Sequence, residues 1–88
     1  MSALVENISI NVKIVGINTE HNFLIPREMS VSDAVELIVK ALREEYPGVA
    51  NGSPMGHALL LASGGKILNP SCSLKQLGIV QGERMILI

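Results

Sequence analysis

Aromatic side chains are almost absent from this sequence, whose 88 residues include one Phe, one Tyr and no Trp. Because 48% of the residues are nevertheless hydrophobic, the core must be aliphatic, and some aliphatic surface is expected to stay exposed. Cysteine is scarce too. The single Cys72 cannot form an internal disulfide, and with two distant histidines it provides no set of metal ligands. We therefore predict a protein of a reducing compartment with no metal or other cofactor.

The sequence also lacks an excess of basic residues and any long hydrophobic run. Seven Lys and Arg residues against eight Asp and Glu residues give a net charge of -1, so nucleic acid and anionic lipid are not expected partners. No apolar run approaches the roughly 18 residues of a membrane-spanning helix. The first residues include an acid and no basic residue, unlike a signal peptide. These absences predict a cytoplasmic protein without direct membrane insertion.

Residues 30–46, SVSDAVELIVKALREEY, form the only long segment with helical spacing. The apolar residues recur at intervals of three and four and predict one buried stripe, which consists of Val31, Ala34, Val35, Ile38, Ala41 and Leu42. Ser30, with Asp33 three residues later, predicts the N-cap, and Pro47-Gly48 predicts the end of the helix. An isolated helix of this length is marginally stable, so the stripe must pack against a partner.

Two strands are predicted before this helix. In residues 7–15 alternation places four apolar side chains on one face, namely Ile8, Ile10, Val12 and Ile14. After turn-forming residues at 16–19, His21, Phe23 and Ile25 alternate with Glu20, Asn22 and Leu24 until Pro26. Two alternating runs joined this closely predict an N-terminal hairpin.

The segments after the helix are shorter. Residues 47–56 are rich in glycine and proline and predict a mobile loop with few contacts. Residues 57–62 predict a third strand, and a turn at 63–66 leads to a brief strand of Ile67 and Leu68. Residues 73–79 predict a short helical turn ended by Gly78, and a polar turn leads into a last strand at 84–88.

The predicted order is ββαββ, with the short helical turn before the last strand. It has one simple arrangement, in which a mixed β-sheet packs one face on the central helix. The first strand can pair in parallel with the last, because the connection between them is long enough to cross over the sheet. The predicted fold class is therefore α+β, a ubiquitin-like β-grasp, with residues 1–88 as a single domain.

The C-terminal third carries a resemblance to known proteins. It resembles the ubiquitin pattern of a strand, a glycine-lysine turn, a short helix and a last alternating strand. Within that superfamily the sequence is similar to the YukD/EsaB family of accessory proteins of type VII (ESX-like, WXG-substrate) secretion systems. The similarity is carried by residues 68–70 (LNP), 73–79 (SLKQLGI) and 82–85 (GERM).

The resemblance implies a cytosolic accessory component that acts through contacts with the secretion machinery, such as a membrane secretion ATPase. An alternative comes from the F0 and F1 ubiquitin-like lobes of talin- and kindlin-like FERM proteins, which share the same turn chemistry. Adjacent genes for a secretion ATPase and small WXG helical hairpins would favour the first interpretation. A chain continuing into further lobes would favour the second.

Conjugated modifiers and sulfur carriers of this fold end in a flexible Gly-Gly tail. This sequence ends at Ile88, directly after a predicted strand, and its only Gly-Gly pair is the internal Gly64-Gly65. That pair is typical of a turn with positive φ. With Lys66 it also lacks the spacing of a phosphate-binding loop. We therefore expect neither conjugation nor sulfur transfer, and no phosphate binding.

An enzyme built on Cys72 is a further alternative, but no histidine is adjacent in sequence to activate its thiol. His21 alternates in phase with Phe23, which is typical of a partly buried, hydrogen-bonded histidine. His57 opens a strand beside a glycine, as a surface residue or an anchor for the preceding loop. The acidic residues of the helix are typical of a solvated face. We therefore predict no catalytic residues and no enzymatic activity.

Aliphatic residues on the third and last strands form the candidate protein-binding site. If alternate residues of the last strand face the helix, Ile86 and Ile88 point to the open face of the sheet, and Leu60 lies beside them. Ile17, in the hairpin turn, is expected to close the edge of this strip. By resemblance, the four residues match the patch through which ubiquitin-like domains commonly bind partners. The alternatives are a homodimer contact and cover by the N-terminal residues.

Overall fold

The computed structural model describes residues 6–47 and 57–88. They form five main elements, which are β1 (Asn7–Ile14), β2 (Thr19–Pro26), α1 (Val31–Glu45), β3 (Leu59–Leu61) and β4 (Arg84–Leu87). The predicted mobile loop at 47–56 lies outside the described residues apart from Pro47. Its mobility therefore stays a prediction.

The four strands form one mixed sheet in the order β2-β1-β4-β3. β1 pairs antiparallel with β2, and β3 pairs antiparallel with β4. At the centre β1 runs parallel to β4, with Val12 beside Met85 and Ile14 beside Leu87. The predicted β-grasp fold, including the parallel pairing of the first strand with the last, is confirmed.

Strict alternation in β1 decides which face of the sheet becomes the core. The side chains of Ile8, Ile10, Val12 and Ile14 are at most 7% exposed. A short 3-10 helix, Val15–Ile17, then ends the strand, and Asn18 takes a left-handed φ of 48° before β2 begins. Asparagine tolerates this conformation better than most side chains do, so the predicted hairpin can turn tightly here.

α1 lies on this apolar face and begins as predicted, because the Ser30 hydroxyl accepts a hydrogen bond from the Asp33 N–H at 3.2 Å. Its buried residues are Val31, Ala34, Val35, Ile38, Val39 and Leu42. The assignment of Ala41 to the stripe was wrong, because Ala41 is exposed and Val39 is buried instead. Val39 and Ala41 flank the stripe on opposite sides, and burying valine removes more apolar surface from water than burying alanine does.

The chain between β3 and β4 closes one end of the core. The predicted strand of Ile67 and Leu68 is only a single bridge between Ile67 and Leu60. Residues 74–78 form the predicted turn, with Gly78 at φ 71°. Its start is fixed by a reciprocal pair of bonds, in which the Ser73 N–H donates to the Gln76 side chain at 2.8 Å and the Gln76 N–H donates to the Ser73 hydroxyl at 3.0 Å.

A pair of neighbouring helix residues tests the observed helix face. Ile38 is fully buried, whereas Leu37 is 41% exposed. Ile38→Asp should lower the free energy of unfolding by several kcal/mol, because it buries an unpaired carboxylate. Leu37→Asp introduces the same residue at the next helical position and should cost less than about 1 kcal/mol. Chemical denaturation of both variants measures the difference, and similar losses would contradict the helix orientation.

Candidate protein-binding surface

Three aliphatic side chains share the face of the sheet opposite α1. Leu60 lies directly across from Ile86 in the antiparallel pair of β3 and β4. Beyond the end of β4, Ala58 and Ile88 exchange two backbone hydrogen bonds of 3.2 and 3.0 Å, which continues the same register by one pair. Strand alternation therefore places Ile88 on the same face as Ile86. We call Leu60, Ile86 and Ile88 the open-face strip.

Burial separates the open-face strip from its neighbours in sequence. Leu59, Met85 and Leu87 are at most 2% exposed and belong to the core. Leu60 and Ile86 are half-buried, and Ile88 is 52% exposed. Apart from Arg84 at the start of β4, β3 and β4 are therefore apolar on both faces, whereas β1 carries Ser9, Asn11 and Lys13 on its open side.

The structure places Ile17 on the helix side of the sheet, not on the open face. It belongs to the 3-10 helix and packs, half-buried, against the core. With Val39 and Tyr46 it lines a cavity of about 130 Å³, and Ile88 borders the same cavity. Ile17 therefore adjoins the strip only through Ile88. Strand alternation did not predict its position, because the chain leaves β geometry at Val15.

Ile67 extends the apolar surface and was missed in the sequence analysis. It forms a bridge with Leu60, so the two side chains share a face, and it is 59% exposed. The next residue, Leu68, is only 5% exposed. Strand alternation could have predicted this position. If Leu68 faces the core, the side chain of the preceding Ile67 points to the opposite face.

Basic side chains border the open-face strip towards β1. Lys13 lies beside Ile86 in the parallel pair, and Arg84 precedes Ile86 by two residues on the same face. Both are exposed, and within the described residues neither forms an ion pair. Lys13 has Ile86 of β4 on one side and Glu20 of β2 on the other, so β1 separates Glu20 from the open-face strip. The surface therefore combines an aliphatic centre with a positive border.

Other candidate residues have structural partners. The ring Nε2 of the half-buried His21 lies 2.9 Å from the Tyr46 hydroxyl, which confirms the predicted hydrogen-bonded histidine. The His57 Nδ1–H donates to the Ile88 carbonyl at 3.0 Å. Cys72 is half-buried, and its carbonyl accepts the Val31 N–H at the start of α1. Among residues 6–47 and 57–88, no three His, Cys, Asp or Glu side chains form a potential metal site.

A mixed four-stranded sheet crossed by one helix defines a ubiquitin-like domain. Residues 9–87 match the family described as WXG100 protein secretion system (Wss), protein YukD. The chain belongs to this family and is thus a ubiquitin-like component of type VII secretion. This family assignment favours the secretion interpretation over a FERM lobe. No curated protein sequence matches the chain.

Solved structures share the fold. The ubiquitin-like domain of Plasmodium falciparum Dsk2 matches with a TM-score of 0.73 and 21% identity over 93% of this chain and 96% of that one. The EccD5 ubiquitin-like domain from Mycobacterium xenopi gives 0.73 and 15% identity over 94% and 93%. A chain of the MycP5-free ESX-5 inner membrane complex gives 0.71 and 18% identity over 93% of this chain but only 20% of that one.

The helices within residues 6–47 and 57–88 include no candidate for a membrane span.

Adjacent leucines in β3 test the assignment of the two faces. Leu59→Ser should cost about 3 kcal/mol or more, because it leaves a cavity and a hydroxyl in the core. Leu60→Ser makes the same chemical change on the open face and should cost about 1 kcal/mol or less. Urea denaturation followed by circular dichroism compares them. The reverse order of stabilities would mean that the register of β3 is shifted by one residue.

Proposed function

We propose that this chain is a non-enzymatic, cytoplasmic adaptor of the WXG100 secretion system and that the open-face strip binds another component of that system. The observation that carries the proposal is the exposure of aliphatic side chains on β3 and β4. The open side of a sheet in a small protein normally carries polar residues, as β1 does here. Contiguous apolar side chains in that position mark interaction sites.

The composition of the strip supports binding rather than catalysis. Its three members carry no nucleophile, acid or base, and its charged neighbours, Lys13 and Arg84, stand at its border. An apolar centre within a polar border is the usual arrangement of a protein-protein interface. A partner with apolar residues facing the strip and carboxylates facing the border would fit best.

A membrane secretion ATPase is the partner that we propose. Family membership supports a component of this machinery as the partner. The similarity to a domain within a chain of the ESX-5 inner membrane complex also favours a role beside membrane components. The strip would then dock this small protein onto the cytoplasmic part of the ATPase.

Removing the apolar centre tests the proposal. Leu60→Ser combined with Ile86→Ser should weaken binding to the cytoplasmic part of the cognate secretion ATPase by about 2 kcal/mol, or roughly 30-fold in Kd. The control combines Leu37→Ser with Val80→Ser, which are 41% and 55% exposed and lie outside the strip. Calorimetric titration measures Kd, and circular dichroism checks folding. A folded Leu60/Ile86 variant with undiminished affinity would exclude the strip from the site.

Charge reversal tests the border separately. Lys13→Glu combined with Arg84→Glu should slow association with the ATPase fragment several-fold, and the difference from wild type should shrink as salt is raised. Lys40→Glu combined with Lys66→Glu makes the same change in net charge at exposed positions outside the border. Equal effects of the two pairs would show that only net charge matters.

A further inference from the structure

Ile88 lies beyond the paired part of β4 and has a strand neighbour on one side only. Towards β1 the parallel ladder ends with Ile14 beside Leu87, because the chain leaves β geometry at Val15. Towards β3, Ile88 exchanges two backbone hydrogen bonds with Ala58. The two other members of the open-face strip have paired residues on both sides. Ile88, which is also the most exposed of the three, is therefore the member that the sheet holds least.

A side chain supplies a further bond to Ile88. The His57 Nδ1 lies 3.0 Å from the main-chain oxygen of Ile88. Because that oxygen accepts, the proton of the bond is on Nδ1, which fixes the tautomer of the neutral ring. The same oxygen accepts the Ala58 N–H at 3.2 Å. Two consecutive residues therefore donate to one oxygen, and both of its lone pairs are used.

The imidazole of His57 lies on the helix side of the sheet. His57 is half-buried and borders the cavity of about 130 Å³ beside Tyr46. It also borders a larger cavity, of about 430 Å³, beside Val35 and Glu36 of α1. The ring thus stands between α1 and the end of the sheet, where neighbouring side chains limit its orientations. This favours one directed hydrogen bond over a freely rotating side chain.

From this geometry we infer that His57 is a positioning residue of the open-face strip. Its imidazole keeps Ile88 on β3, so that the Ile88 side chain stays on the open face with Ile86. Without this bond, Ile88 would depend on its two backbone bonds with Ala58 and would leave the register more often. A partner would then have to order Ile88 during binding, which costs affinity. The consequence for binding rests on the proposed function, whereas the effect on Ile88 does not.

Three substitutions separate the hydrogen bond from the bulk of the ring. His57→Asn keeps a side-chain N–H donor close to the position of Nδ1. His57→Phe keeps an aromatic ring without a donor, and His57→Ala removes both the ring and the donor. Because His57 is only half-buried, all three variants should fold, which circular dichroism checks.

Amide exchange of Ile88 measures the positioning directly and needs no partner. The Ile88 N–H donates to the Ala58 carbonyl at 3.0 Å and exchanges when the end of β4 opens. Loss of one hydrogen bond should raise the exchange rate about fivefold in His57→Phe and His57→Ala, whereas His57→Asn should stay within about twofold of wild type. A wild-type rate in His57→Phe would overturn the inference, because packing of the ring would then hold Ile88. Fast exchange in His57→Asn, where a donor is present, would also overturn it.

Binding to the cytoplasmic part of the secretion ATPase tests the consequence for the strip. His57→Phe should raise Kd about fivefold, and His57→Asn should restore most of the affinity. In an Ile88→Ala background, His57→Phe should have little further effect, because the side chain that His57 positions is already missing. A purely structural role would give the same fold-change in both backgrounds, and that result would overturn the inference.

The inference and the proposed function fail in different ways. If the open-face strip does not bind the ATPase, Leu60→Ser with Ile86→Ser leaves the affinity unchanged, and amide exchange of Ile88 still decides the role of His57. If His57 does not position Ile88, the exchange rate is the same in wild type and His57→Phe, while the Leu60/Ile86 variant still binds weakly.

Discussion

A single helix can cover only one face of a four-stranded sheet, and the rest of this structure depends on that limit. α1 buries its apolar stripe on the side where β1 presents Ile8, Ile10, Val12 and Ile14. The opposite side has no second layer among the described residues, so its side chains meet solvent or a partner. The polar open side of β1 and the aliphatic open sides of β3 and β4 therefore have different roles. The first is compatible with solvent, and the second is the candidate interface.

Local patterns predicted most of the fold because the strongest patterns lie in the elements that form the core. β1 and α1 could be predicted from periodicity alone, and their order, with a long crossover, was enough to predict the parallel ladder. The errors lie where local signals are weak. Val39 and Ala41 flank the stripe equally in sequence, and only packing decides between them. Ile67 and Leu68 have strand-like composition, but only Ile67 forms a bridge, with Leu60.

Less of the candidate surface could be predicted. Leu60, Ile86 and Ile88 follow from alternation within regular strands, whereas Ile17 lies in a 3-10 helix, where alternation fails. The turn residues identify the family, but no residue pattern by itself identifies a partner.

The ladder between β1 and β4 also has a consequence for biosynthesis. Its partners, such as Val12 and Met85, lie roughly 70 residues apart in sequence, which is typical of slow, non-local folding. During translation the N-terminal hairpin and α1 leave the ribosome first, but β4 must also emerge before the apolar face of β1 gains its central neighbour. Until then the nascent chain exposes aliphatic strands that can bind chaperones or aggregate. The central ladder, rather than the hairpin, is thus the last part of the sheet that can form.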